Sequence, residues 1–97
     1  MSNPYKNQAL LRKVQAKARK IGVTVKPSTR KNKKLDVFKG GKKVGSIGAV
    51  GYKDFLLYKT TEGNKKANLR RKLYKIRHNK HRKIVGTNSY YADKILW

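Results

Sequence analysis

Residues 35–47 read Leu35-Asp36-Val37-Phe38-Lys39-Gly40-Gly41-Lys42-Lys43-Val44-Gly45-Ser46-Ile47. Leu35, Val37 and Phe38 precede the glycine pair, and Val44 and Ile47 follow it. Adjacent glycines reach the left-handed torsions of a tight two-residue turn, so this stretch predicts a β-hairpin. A two-stranded ribbon is not stable in water alone, so the flanking segments have to supply a helix or another strand.

Upstream, Asn3 and Pro4 before Tyr5 form a helix start, with an amide-capping side chain followed by a residue already shaped for the first turn. Leu11, Val14, Ala18 and Ile21 recur at spacings of three, four and three, and Gly22 supplies a stop, which predicts an amphipathic helix over about 5–21. Val23 and Val25 alternate with Thr24 and Lys26 as a short extended segment that Pro27 ends. Residues 28–34, Ser-Thr-Arg-Lys-Asn-Lys-Lys, have no apolar face. They read as a flexible basic loop, either solvated or a phosphate-contacting arm.

Downstream, Gly45, Gly48 and Gly51 punctuate the chain. Neither the Gly-x-x-x-x-Gly-Lys-Ser/Thr order nor Gly-x-Gly-x-x-Gly is present, so turns and close backbone packing are the expected use of these glycines. Residues 52–58 suggest a short helix or turn, with Phe55 and Leu56 inward and Asp54 placed to meet amides or a basic side chain. After a polar break over 60–66, a longer helix is expected from about 65 to 82, with Leu69, Leu73 and Ile76 as its inner stripe. Its other faces are basic, and no acidic residue lies between Gly63 and Tyr91 to neutralise them. The closing residues 88–97 are unusually apolar, and Tyr90, Tyr91, Ile95, Leu96 and Trp97 are expected to form an apolar anchor packed into a core or a partner. These elements make a small α+β domain spanning 1–97, with an N-terminal helix, a central hairpin and basic C-terminal helices.

Charge sets the function class. The 97 residues hold 27 Lys or Arg against four Asp or Glu, a net charge of +23 that points to an acidic partner. Candidate contacts with that partner are Arg30, Lys31, Lys33 and Lys34 in the loop, and Arg70, Arg71, Lys72, Lys75, Arg77, Lys80, Arg82 and Lys83 in the long basic segment. The six tyrosines, two phenylalanines and one tryptophan argue for a folded chain over a protamine-like tail. No RNP pair or zinc finger is present, so the aromatics are assigned to packing.

Other chemistry is poorly supplied. With no cysteine, disulfides and thiolate zinc sites are excluded. His78 and His81 lie three residues apart without a third ligand nearby, in cationic surroundings that disfavour another cation. Asp36, Asp54, Glu62 and Asp93 are too scattered to name an acid/base pair, and Ser28, Ser46 and Ser89 lack a nucleophile-elbow context. The expectation is a non-enzyme with no cofactor, no metal and no small-molecule substrate. No apolar run approaches the roughly 20 residues of a membrane span, so integral insertion is not expected. The early segment lacks a signal-peptide core, so the mature chain is expected to start near Met1.

Residues 28–34, Val44-Gly45-Ser46-Ile47-Gly48, Gly51-Tyr52-Lys53-Asp54-Phe55, Arg70-Arg71-Lys72-Leu73-Tyr74, Arg77-His78 and 90–97 together resemble small basic proteins encoded by large double-stranded DNA viruses. The likeness covers most of the chain beyond the first helix. It departs at Phe55, where the pattern has a second tyrosine, and in the Lys/Arg richness after His78. It implies a virion structural protein, a minor capsid component of the inner shell that is present in host cytoplasm or nucleus during assembly. Its implied partners are acidic capsid or other virion proteins, with double-stranded DNA as a further possibility. The alternative is a DNA-binding or genome-condensing protein acting through phosphate contacts.

Overall fold

The computed structural model describes residues 3–97, and the expected start at Met1 lies outside them. A short 3-10 turn, Pro4–Lys6, leads into α1 (Gln8–Lys20). Three strands follow, β1 (Thr24–Pro27), β2 (Lys33–Lys39) and β3 (Lys42–Ala49), and then α2 (Phe55–Glu62), α3 (Asn64–Arg77) and α4 (Asn88–Ile95). The predicted first helix is therefore two pieces. Asn3 caps the 3-10 turn by accepting from the Tyr5 amide, and Asn7 restarts the chain as α1 by accepting from the amides of Ala9 and Leu10.

The hairpin forms as expected, with Gly40 and Gly41 both at positive φ (58° and 79°) between Lys39 and Lys42. Its support is a third strand. The valine segment before Pro27 pairs antiparallel with β2, giving the sheet order β1-β2-β3 with Pro27 on the edge strand. One irregularity shapes the sheet. Phe38 faces Lys43 while Val37 faces Gly45, so Val44 is an extra residue in β3 and the register shifts by one beyond it.

Val25, Val37, Leu35 and Ile47 form the buried face of the sheet, packed with Leu11, Val14 and Ala18 of α1 and Tyr91 and Ile95 of α4. Tyr5, Leu56 and Leu96 complete the same core. The glycines of β3 allow α4 to come close. A Cβ on Gly45 would collide with the Asn88 side chain, and one on Gly48, at φ +77°, would lie 2.9 Å from Leu96 Cδ1.

The C-terminal anchor is thus engaged within the protein itself. Tyr91, Ile95 and Leu96 are buried, and Tyr90 and Trp97 pack partly buried against the core, so these residues cover the chain's own sheet. The 28–34 loop is also shorter than expected, because Lys33 and Lys34 belong to β2. The long basic helix ends at Arg77, and residues 78–87 run as successive turns before α4. Its expected inner stripe faces outward, with Leu69, Leu73 and Ile76 at 51%, 48% and 65% exposure. The inward side of α3 is formed instead by Ala67, Arg71, Tyr74 and Lys75, because Tyr74 stacks on Trp97 at 4.4 Å and Lys75 reaches Asp93.

Candidate polyanion interface

All four carboxylates serve internal contacts. Asp54, almost fully buried, caps α2 by accepting from the Leu57 amide, and it also accepts from Tyr5 Oη at 2.7 Å and Lys34 Nζ at 3.1 Å. Lys34 donates in addition to the Tyr52 carbonyl. Burial, reinforced by the Asp54 charge and hydrogen bond, pushes the Tyr5 phenol far above its ordinary range, so it remains a donor.

Asp36 alternates along β2 with Leu35 and Val37 and so leaves the sheet on the face away from theirs, where Oδ1 accepts from Ser28 Oγ (2.6 Å) and Ser46 Oγ (2.7 Å) and lies 3.3 Å from Lys43 Nζ. Its Oδ2 accepts from the Thr29 amide at 3.2 Å. Burial pushes this carboxyl up, but the hydrogen bonds from Ser28, Ser46, Thr29 and Lys43 outweigh it and hold the pKa at about 2. One side chain thereby fastens the basic loop to the hairpin. The loop is further closed by the Ser28 amide on the Lys34 carbonyl and the Lys33 amide on the Arg30 carbonyl.

Asp93 ties the basic C-terminal half together. Its Oδ1 accepts from Lys75 Nζ at 2.7 Å, and Arg82 Nη1 stands 3.8 Å from Oδ2. Arg82 also donates to the Lys75 carbonyl and to Asn79 Oδ1. Glu62 pairs with Lys53 at the surface, and that hydrogen bond lowers its pKa.

Several candidate contacts are therefore withdrawn from solution. Lys34 is buried on Asp54, and Lys75 and Arg82 are held on Asp93, because a buried carboxylate without a counter-charge would be strongly destabilising. Arg71 lies over the Phe55 ring at 4.0 Å, with Lys17 Nζ 5.5 Å from the same ring, and donates to Asn68 Oδ1. Burial lowers the Lys17 pKa; Asp54 opposes that shift, and Arg71, Lys75 and Lys59 add to it. Arg30, Lys31, Arg70, Lys72, Arg77, Lys80 and Lys83 are exposed and Lys33 is half-buried. Among the described residues, five of the 27 cations reach a carboxylate, leaving 22 that do not.

A cleft of about 680 Å³ opens beside α3. Tyr74 and Trp97 line it with Tyr58, Leu73, Arg70 and Arg77. Tyr58, Tyr74 and Trp97 are engaged with one another, whereas Tyr52, which also lines the cleft, is 75% exposed. Tyr74 stacks on both Trp97 (4.4 Å) and His78 (4.3 Å), and Arg70 lies over Tyr58 at 5.6 Å. His78 is lowered in pKa by burial and by the neighbouring charges of Arg77 and His81. Among the described residues no cluster of three or more His, Cys, Asp or Glu could hold a metal ion, and no helix is long and apolar enough to cross a membrane.

The buried charge nodes escaped sequence reasoning, apart from the placement of Asp54 at a helix start. Their one sequence signal is scarcity, since four acids in a chain of this charge each have many competing cations. Comparison with family models, curated proteins and solved structures finds no match to this chain.

Proposed function

We propose that this chain is a non-enzymatic virion structural protein, a minor capsid component whose cationic surface bridges acidic capsid-protein surfaces or the packaged genome. The supporting observation is the internal use of every carboxylate, which leaves 22 cations without an acidic partner of their own on one folded body. Such a body is at a disadvantage in dilute solution and gains stability wherever polyanions surround it. The virion context comes from the resemblance of the glycine-rich centre and C-terminal half to small basic viral proteins.

A second reading, DNA binding through phosphates, is favoured by the exposed cations at the hairpin end and in the loop. Lys39, Lys42, Arg30 and Lys31 suit a phosphate backbone and need no shaped surface. Quantitative mass spectrometry of purified particles, before and after removal of the genome, tests the two. A fixed copy number retained in emptied shells supports the capsid role. Departure with the genome supports the second reading, and absence from the particles overturns the first.

A further inference from the structure

The outward stripe of α3 has no use in the chain's own core. Leu69, Leu73 and Ile76 recur at spacings of four and three, so they lie in one row along the helix, and all three are about half or more exposed. The same helical geometry sets Lys66, Arg70 and Arg77 along one side of the row and Lys65 and Lys72 along the other. Leu73 and Ile76 also line the cleft, together with Tyr74 of the same helix and with Trp97, so the row borders a groove.

We propose that this stripe and the adjoining cleft are the docking site for an acidic amphipathic helix of a partner protein. Charge complementarity selects the occupant. A helix with one apolar stripe edged by Asp or Glu would bury Leu69, Leu73 and Ile76 while each acidic edge met one of the two cation rows. A DNA duplex meets cations with phosphates and gains little from three exposed aliphatic side chains. Single-stranded bases would need a succession of free aromatic faces, and among the described residues lining the cleft Tyr52 alone offers one, since Tyr74 is stacked on Trp97 and His78 and Tyr58 lies beside Trp97 with Arg70 over its ring. A flat anionic membrane would want a broad apolar face with aromatic residues, and here the apolar row is narrow and borders a concavity. The assignment rests on the reading that the cationic surface meets an acidic partner, and it specifies the protein class of that partner.

The test measures binding of the full chain to four probes by fluorescence anisotropy or co-sedimentation. They are a synthetic helical peptide with a leucine stripe edged by glutamates, a scrambled peptide of the same composition, a DNA duplex, and phosphatidylcholine vesicles containing phosphatidylserine. The wild-type chain is expected to prefer the patterned peptide over the scrambled one by about tenfold or more. The Leu69→Ser, Leu73→Ser, Ile76→Ser triple variant should lose that preference, with DNA affinity changed by less than about twofold, because only exposed apolar surface is removed. Ile76→Ser alone, at the most exposed of the three positions, should lose part of the preference and guards against misfolding of the triple variant. Equal binding of the two peptides overturns the docking site, as does a preference that survives in the triple variant. An effect of the substitutions on vesicles or DNA but not on the patterned peptide overturns it too. Pattern-blind binding leaves the wider reading of an acidic partner intact, whereas failure to bind any acidic probe defeats both.

Discussion

Asp36 shows how much a single carboxylate does in a chain this basic. Its pKa of about 2 lies below the ordinary 3.8, so the folded state binds the proton less tightly than the unfolded one. The resulting stability is present above the unfolded value and is lost as pH falls from about 4 through 2, and it amounts to about 2 kcal/mol. Asp36→Asn should remove most of that contribution at neutral pH and flatten the acid limb of a stability curve measured by denaturant titration between those pH values. Nothing in the sequence singles out Asp36 for this role. A two-residue turn at Gly40-Gly41 alone would set it opposite Gly45, and only the extra residue at Val44 brings Ser46 across from it. Register shifts of this kind depend on tertiary packing and leave no local signature. Asp54 was better placed for recognition, because a carboxylate just before an apolar run is a helix-capping signal, but its buried partners Tyr5 and Lys34 come from 49 and 20 residues away.

Among the secondary elements, the legible ones were those whose periodicity matched their burial. The Leu11-Val14-Ala18 row of α1 and the glycine-turned hairpin followed directly from spacing. The same rule misplaced α3, where Leu69, Leu73 and Ile76 form a clean apolar row that faces away from the core. Periodicity identifies an apolar face without saying what covers it, and here the inward side is set by the Tyr74 stack and the Lys75 link to Asp93. The seat of α4 on β3 makes a graded prediction. Gly48→Ala requires a left-handed backbone and meets Leu96 and the Lys34 stem, so it should cost about 1–2 kcal/mol. Gly45→Ala meets only the Asn88 amide, which can swing into solvent, and should cost less than about 1 kcal/mol. Parallel thermal melts of the two variants would check the order, and a larger loss at Gly45 would contradict this packing.

The whole molecule, 37 × 30 × 23 Å, spans only a few screening lengths of its own field. With a radius of gyration of 12.6 Å and a net charge of +23, its cations lie within about a Debye length or two of one another, since that length is about 10 Å at 0.1 M salt. Raising salt from about 0.02 M to about 0.3 M should therefore raise the melting temperature by several degrees. A sodium chloride series followed by calorimetry checks this, and a melting temperature that falls with salt would mean that surface ion pairs outweigh the repulsion. Charge was also the most legible property of the molecule, and what it could not convey was geometry. The difference lies in which cations are claimed by Asp54 and Asp93 and which stay in solution, and that partition exists only once the fold has closed.

The Asp54 node joins Tyr5, Lys34 and the start of α2, three segments remote from one another in sequence. Contacts that need so many loops closed are expected to assemble after the helices and the hairpin, which predicts that the node forms on the late side of the folding barrier. Tyr5→Phe, which removes one hydrogen bond from the carboxylate, should accelerate unfolding several-fold and leave the refolding rate nearly unchanged in a stopped-flow chevron. Equal changes in both arms would place the node within the folding nucleus. With that outcome, Asp54 would govern how long the folded protein lasts once made and have little part in the speed at which it is made.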